Sequence, residues 1–267
     1  MSNTAPRSKL PALTIIGQAL RFPLINVAAL LRLASLPFFA MLAATLLLRA
    51  LAPSDSPSLE AMHRIFVVSP LVIIVLVEFV LPSYAVTVTM YLIAGPASVE
   101  GRSALAYSTT EFRYAVAALL MTLGFGAPTI VFIVALRNLQ LPVGLTIALV
   151  FAWLAIALFI VMRLILLFPA IAAGGAASPR IACILTSRNF WRIATIALLT
   201  AIPYSILTTI VRIAAASLPS PIAQLLLAAI LSAIVTLSWT TTLAWQALVY
   251  KHLAGSSDAF ASNFRAV

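Results

Sequence analysis

Two ionisable residues, Glu78 and Arg163, sit inside otherwise apolar stretches. A charged group near the centre of a membrane span costs ~2.5 to 3.5 kcal/mol even on lenient insertion scales, so it is normally turned toward a partner, water or the bundle interior. A carboxylate and a guanidinium could line a proton or substrate path. They could equally form a pair that only fixes packing, and this is the expected role here. The two residues fall on parallel spans, and aligning similar stretches 79 positions apart sets Arg163 level with Tyr84. That is six residues from Glu78, ~9 Å of helix, within joint reach of the two side chains if their helices are adjacent.

No other catalytic grouping emerges. The chain has no Gly-x-Ser-x-Gly elbow, no His-Glu-x-x-His and no glycine-rich phosphate loop. Glu60 and His63 have the Glu-x-x-His spacing of di-iron bundles, but the second copy and the further carboxylates that such sites need are missing. The lone Cys183 rules out an intramolecular disulfide and a cysteine-based metal site. The sequence therefore predicts neither an enzyme nor a bound metal or cofactor.

The elements that would position Glu78 and Arg163 follow from composition. Hydrophobic residues make up 63% of the 267 residues and charged ones 8%, against roughly 25% charged in soluble domains; the mean hydropathy is +1.15. The fold class is an all-α polytopic membrane protein. Its length holds about six spans of ~20 residues with short connections, expected at 33–51, 65–94, 115–136, 143–172, 193–214 and 221–250. Residues 1–32 read as a cytoplasmic amphipathic segment or a tail before the first span, 33–250 as the six-helix transmembrane domain, and 251–267 as a cytoplasmic tail. Pro11, Gln18, Arg21 and Pro23 interrupt what would be the apolar core of a signal peptide, so retention is expected.

The net charge of +10 does not point to nucleic acid, because the basic residues punctuate apolar spans instead of forming a patch. Eleven of them (Arg7, Lys9, Arg21, Arg32, Arg102, Arg113, Arg180, Arg188, Arg192, Lys251, Arg265) fall on one side of a six-span layout. Four (Arg49, Arg64, Arg137, Arg212) fall on the other. The positive-inside rule then puts both termini in the cytoplasm, which for a bacterial chain means the inner membrane. Anionic lipid headgroups become the natural partners.

The 79-residue shift also sets Phe112-Arg113 on Trp191-Arg192 and Ala118-Leu119-Leu120 on Ala197-Leu198-Leu199. A looser shift of 89 sets Ala29-Leu30-Leu31 on Ala118-Leu119-Leu120. The reading is three parallel repeats, each an interfacial elbow helix plus two spans, against six unrelated spans of similar composition. In the third elbow, Ile181, Ile184 and Leu185 lie at one-face helical spacing over 178–190. Arg188, Asn189, Trp191 and Arg192, with Arg113 in the second elbow, are the candidates for contact with lipid headgroups. Pro37, Pro82, Pro128 and Pro203 are candidate helix breaks. Discontinuous helices mark transporter sites, although neighbours often re-satisfy the carbonyl that a proline frees. Ser232, Thr236, Ser238, Thr240, Thr241, Thr242 and Gln246 in the sixth span read as interhelical hydrogen-bonding groups before a cavity lining.

Arg163, Pro169, the run Leu185-Thr186-Ser187-Arg188-Asn189-Phe190-Trp191-Arg192, and Leu248-Val249-Tyr250-Lys251-His252-Leu253 together resemble the membrane domain attached to some glycerophosphoryl diester phosphodiesterases. The resemblance implies six helices and cytoplasmic elbows without an assigned chemistry. The soluble phosphodiesterase domain has no counterpart in this sequence. The functional reading is a non-enzymatic bundle acting through lipids or a protein partner in the membrane. The alternative is a small transporter for a lipid-like or amphipathic solute, built around Glu78 and Arg163.

The charge count yields a topology test. With Cys183 replaced, cysteines at Ser56 and Gln140 should react with an impermeant thiol reagent in intact cells, and cysteines at Ser187 and Ser257 should not. Labelling of Ser257→Cys from outside would reverse the orientation.

Overall fold

The computed structural model describes residues 10–51, 69–102, 107–139, 141–175, 178–217 and 220–255. Among them the chain is helical throughout, with no strand. In order come α1 (Ala12–Ile25), α2 (Val27–Leu51), α3 (Ser69–Ala94), a 3-10 turn at Pro96–Val99, α4 (Thr109–Asn138) and α5 (Val143–Leu164). Then follow α6 (Leu167–Ala172), α7 (Pro179–Ser187), α8 (Phe190–Ser217) and α9 (Pro221–Gly255). Four stretches are long and apolar enough to cross a membrane: Thr109–Leu136, Val143–Ala172, Phe190–Ala215 and Ile222–Ala254.

Helix α1 is amphipathic. Ile15, Ala19 and Phe22, at i, i+4 and i+7, are its buried face, and they pack on α8 and α9. Leu13, Leu24 and Ile25 point outward, at 81%, 69% and 75% exposure, which suits an apolar surround and not water. The corner after α1 is fixed at Asn26, whose side-chain amide donates to the Phe22 carbonyl (3.1 Å). Its Oδ1 accepts from the Tyr91 hydroxyl on α3 (3.0 Å). The long helix α2 thus begins at Val27, six residues ahead of the expected start at 33.

Helix α9 is the hub, packing on α1, α2, α3, α6 and α8. Its C-terminal half is buried, from Thr240 and Thr241 through Ala244, Trp245 and Ala247 to Val249 and Tyr250. Ala228, Ala244 and Ala247 are fully covered; small side chains of this kind let neighbouring backbones approach closely in a membrane. Several of the hydroxyls along α9 are bonded within the protein. Ser232 donates to the Ala228 carbonyl, Thr236 to that of Ser232, and Thr240 to that of Thr236. Thr240 also shares a hydrogen bond with Tyr84 of α3, and Thr241 with Tyr204 of α8 (2.7 Å).

The core lies at one end of the bundle, where α1, α6 and α7 meet the end of α3, the start of α4 and α8, and the end of α9. Along the rest of the long helices burial is sparse. Helix α5 has no buried residue among those described.

Pro37, Pro82, Pro128 and Pro203 all lie within continuous helices. The interruption of a long apolar stretch falls instead at Ile165–Leu166, splitting the expected span 143–172 into α5 and α6. Pro169 accounts for it: its ring clashes with the carbonyl four residues back, that of Ile165, and it has no N–H to bond there. Helix α6 then ends at the small-residue pair Gly174-Gly175. Gly174, at φ +76°, donates to the Ile171 carbonyl (2.9 Å), and Gly175 to that of Ala170 (3.0 Å). This double closure is a Schellman motif, which requires the left-handed residue at Gly174.

A substitution pair tests that assignment. Gly174→Ala should lower stability by about 1 to 2 kcal/mol through left-handed strain alone, since nothing lies within 4 Å of the added carbon. Gly126→Ala, inside α4 and equally uncrowded, should be neutral or stabilising by up to about 1 kcal/mol. Melting curves in one detergent decide it, and equal shifts would argue against the motif.

Candidate functional site

The candidate site residues gather at the end of the bundle where the short elements lie. Arg163, in the last turn of α5, donates from Nη1 to the Cys183 carbonyl of α7 (3.1 Å). Its guanidinium sits 5.1 Å from the Phe159 ring centroid, a cation–π contact. Thr186, fully buried on α7, donates across to the Arg163 carbonyl (3.2 Å). Arg163 therefore clamps α7 against α5. Glu78 lies in α3, but its side chain, like Glu60 and His63, is outside the described residues.

Helix α7 forms over Pro179–Ser187, within the expected 178–190. Its covered face is Ala182 and Thr186, while Ile184 is 53% exposed. The apolar stripe Ile181, Ile184 and Leu185 is thus only partly turned inward, because Arg163 and α5 take the small-residue face. Proline at the first position suits a helix start, where its missing N–H has no intrahelical role.

The headgroup candidates divide. Trp191 is 78% exposed, and Arg113 and Arg188 are exposed as well. Arg192 is half-buried, and its Nη1 donates to the Leu10 carbonyl (3.2 Å), tying the start of α8 to the segment before α1. Asn189 is half-buried in the α7–α8 turn, where its N–H donates to Thr186 and its carbonyl accepts from Ile193. Lys251, expected only as a charge of the C-terminal tail, reaches the Leu92 carbonyl in the last turn of α3 (3.3 Å). Cations in this position also suit the negative end of the α3 dipole.

One residue of this end escaped the sequence reading. Glu111, in the first turn of α4, is completely buried and pairs with Arg102 (2.7 Å). It also accepts from the Ser108 backbone N–H (2.8 Å) and hydroxyl, while the Ser108 hydroxyl caps the helix start. Ser108-x-x-Glu111 is the capping-box signature, so the local motif was available in the sequence. Burial of the carboxylate and its ion pair with Arg102 was not.

This end can hold the short elements in place and present Arg113, Arg188 and Trp191 outward. No protein-family profile, curated protein or solved structure matches the chain.

The clamp predicts a specific pattern of stability. Arg163→Met should lower stability by about 2 kcal/mol, the scale of a hydrogen bond from a charged group. Arg163→Lys should recover part of this. Adding Glu78→Leu should not restore Arg163→Met, because the lost partner is the α7 backbone. Thermal melts of the single and double variants would show this, and full restoration by Glu78→Leu would identify the Glu78–Arg163 pair as the dominant interaction.

Proposed function

We propose that the chain is a six-span, non-enzymatic bundle of the bacterial inner membrane with both termini cytoplasmic, acting through lipids or a partner protein. The observation that carries this reading is the exposed apolar surface of the long helices. On α4, Leu123, Ile130, Val131, Ile133 and Val134 are half or more exposed, as are Phe151, Leu154 and Ile156 on α5. Faces of this extent need hydrocarbon or another membrane protein against them.

Several features support six spans over four. Helices α2 and α3 have 25 and 26 residues, or ~38 Å each, longer than the ~30 Å hydrocarbon core. The element order runs three times as a short piece followed by two long helices: α1-α2-α3, the 3-10 turn with α4 and α5–α6, and α7-α8-α9. This order fits parallel repeats and the likeness to the membrane domain of glycerophosphoryl diester phosphodiesterases. Arg102, Arg113, Arg163, Arg180, Arg188, Arg192 and Lys251 lie on or beside the elements of one end, in keeping with a cytoplasmic elbow end.

Gentle extraction followed by mass spectrometry of bound lipids and co-purifying proteins tests the reading. A reproducible lipid set or a stoichiometric membrane partner is the expected result. Solute flux into proteoliposomes that disappears in Glu78→Leu and Arg163→Met without loss of stability would replace it with a transporter.

A further inference from the structure

A groove of about 460 Å³ opens beside α4, closed on its other side by the end of α5, by α6 and by the start of α7. Its wall along α4 runs from Phe112 through Val116 and Leu120 to Phe125, ~20 Å of helix. One leaflet of the hydrocarbon core is ~15 Å deep, so the groove has the length of a lipid chain. Leu167 and Ile171 face it from α6. The groove exists because α4 meets this side of the bundle through a different face, where the Tyr114 and Phe168 rings stand 5.0 Å apart. Farther along, α4 and α5 touch through Trp153, which donates to Thr129 (3.1 Å) and stacks on Phe132.

The groove's charge is one-sided. Among its described lining residues Arg113 is the one ionisable group, and it stands at the end where α4 begins. Arg180 follows the lining residue Pro179 on α7 and is exposed. The nearest acid in sequence, Glu111, is buried and bonded to Arg102 and Ser108, so it does not offset Arg113.

We infer that this groove is a site for one anionic phospholipid of the leaflet at the elbow end, its acyl chain against Val116 and Leu120 and its phosphate at Arg113. The inference rests on the membrane reading above and gives the anionic lipid expected there a defined site. The apolar wall accepts a chain from any bilayer lipid. Selection comes from the headgroup, because one arginine near a membrane surface favours an anionic lipid by about fivefold.

A photo-reactive diazirine amino acid at Val116, in full-length protein reconstituted into phosphatidylcholine bilayers containing phosphatidylglycerol, reports the occupant directly. The adducts should contain phosphatidylglycerol about fivefold above its share of the bilayer. Arg113→Gln should return them to the bilayer ratio, Arg113→Lys should keep most of the enrichment, and Arg21→Gln, an equal charge loss at an exposed position of α1, should change nothing. Adducts in the bilayer ratio for the unsubstituted protein, or equal losses in Arg113→Gln and Arg21→Gln, would overturn the site while leaving the membrane reading intact. Absence of lipid adducts in a chain that still reconstitutes would overturn the site too. Failure of the chain to enter bilayers at all would instead remove the membrane reading. In native membranes, an adduct to a protein at Val116 would assign the groove to that partner.

Discussion

Backbone polar groups released at the end of a helix and buried in the protein must find partners there, since each costs ~1 to 3 kcal/mol if left alone. The elbow end is organised around that constraint. Arg163, Arg192 and Lys251 each direct a cationic donor to a main-chain carbonyl on a neighbouring element. Gly174 and Gly175 close the end of α6, and Ser108 with Glu111 closes the start of α4. The three cationic bonds join separate elements, tying α7 to α5, the segment before α1 to α8, and the end of α9 to α3. The apolar core lies at the same end of the bundle.

The basic residues thus answer to two demands. As charges they bias the chain's orientation, and as donors they tie its corners. Arg192 is half-buried and bonded to a carbonyl and Lys251 is exposed but also bonded to one, while Arg113 and Arg188 are exposed. A count by sequence position treats these residues alike. Burial and partners separate them.

Long apolar helices and the short helix at Pro179–Ser187 were legible because they depend on composition, periodicity and a proline at a helix start. The stop at Gly174-Gly175 was legible as a pair of small residues. The break before Pro169 follows from proline geometry, whereas the four mid-span prolines, candidate breaks by sequence, are carried within continuous helices. What could not be read was pairing across elements. Arg163 was expected to face Glu78, whose side chain lies outside the described residues; its guanidinium also finds a carbonyl, and every residue supplies one. Only the folded path reveals that the carbonyl of Cys183 is within reach. The same holds for α7, whose apolar stripe marked one face while Ala182 and Thr186, small enough for close approach, became the covered one.

The uneven distribution of burial has a mechanical meaning. The long helices are joined firmly where α9 gathers α1, α2, α3, α6 and α8, whereas α5 and the outer part of α4 run on with few covered side chains. Segments with few buried contacts open at low free energy. Such helices behave as beams clamped at one end, and a change in lateral pressure or thickness of the surrounding bilayer would spread or gather their free ends before it disturbed the clamp.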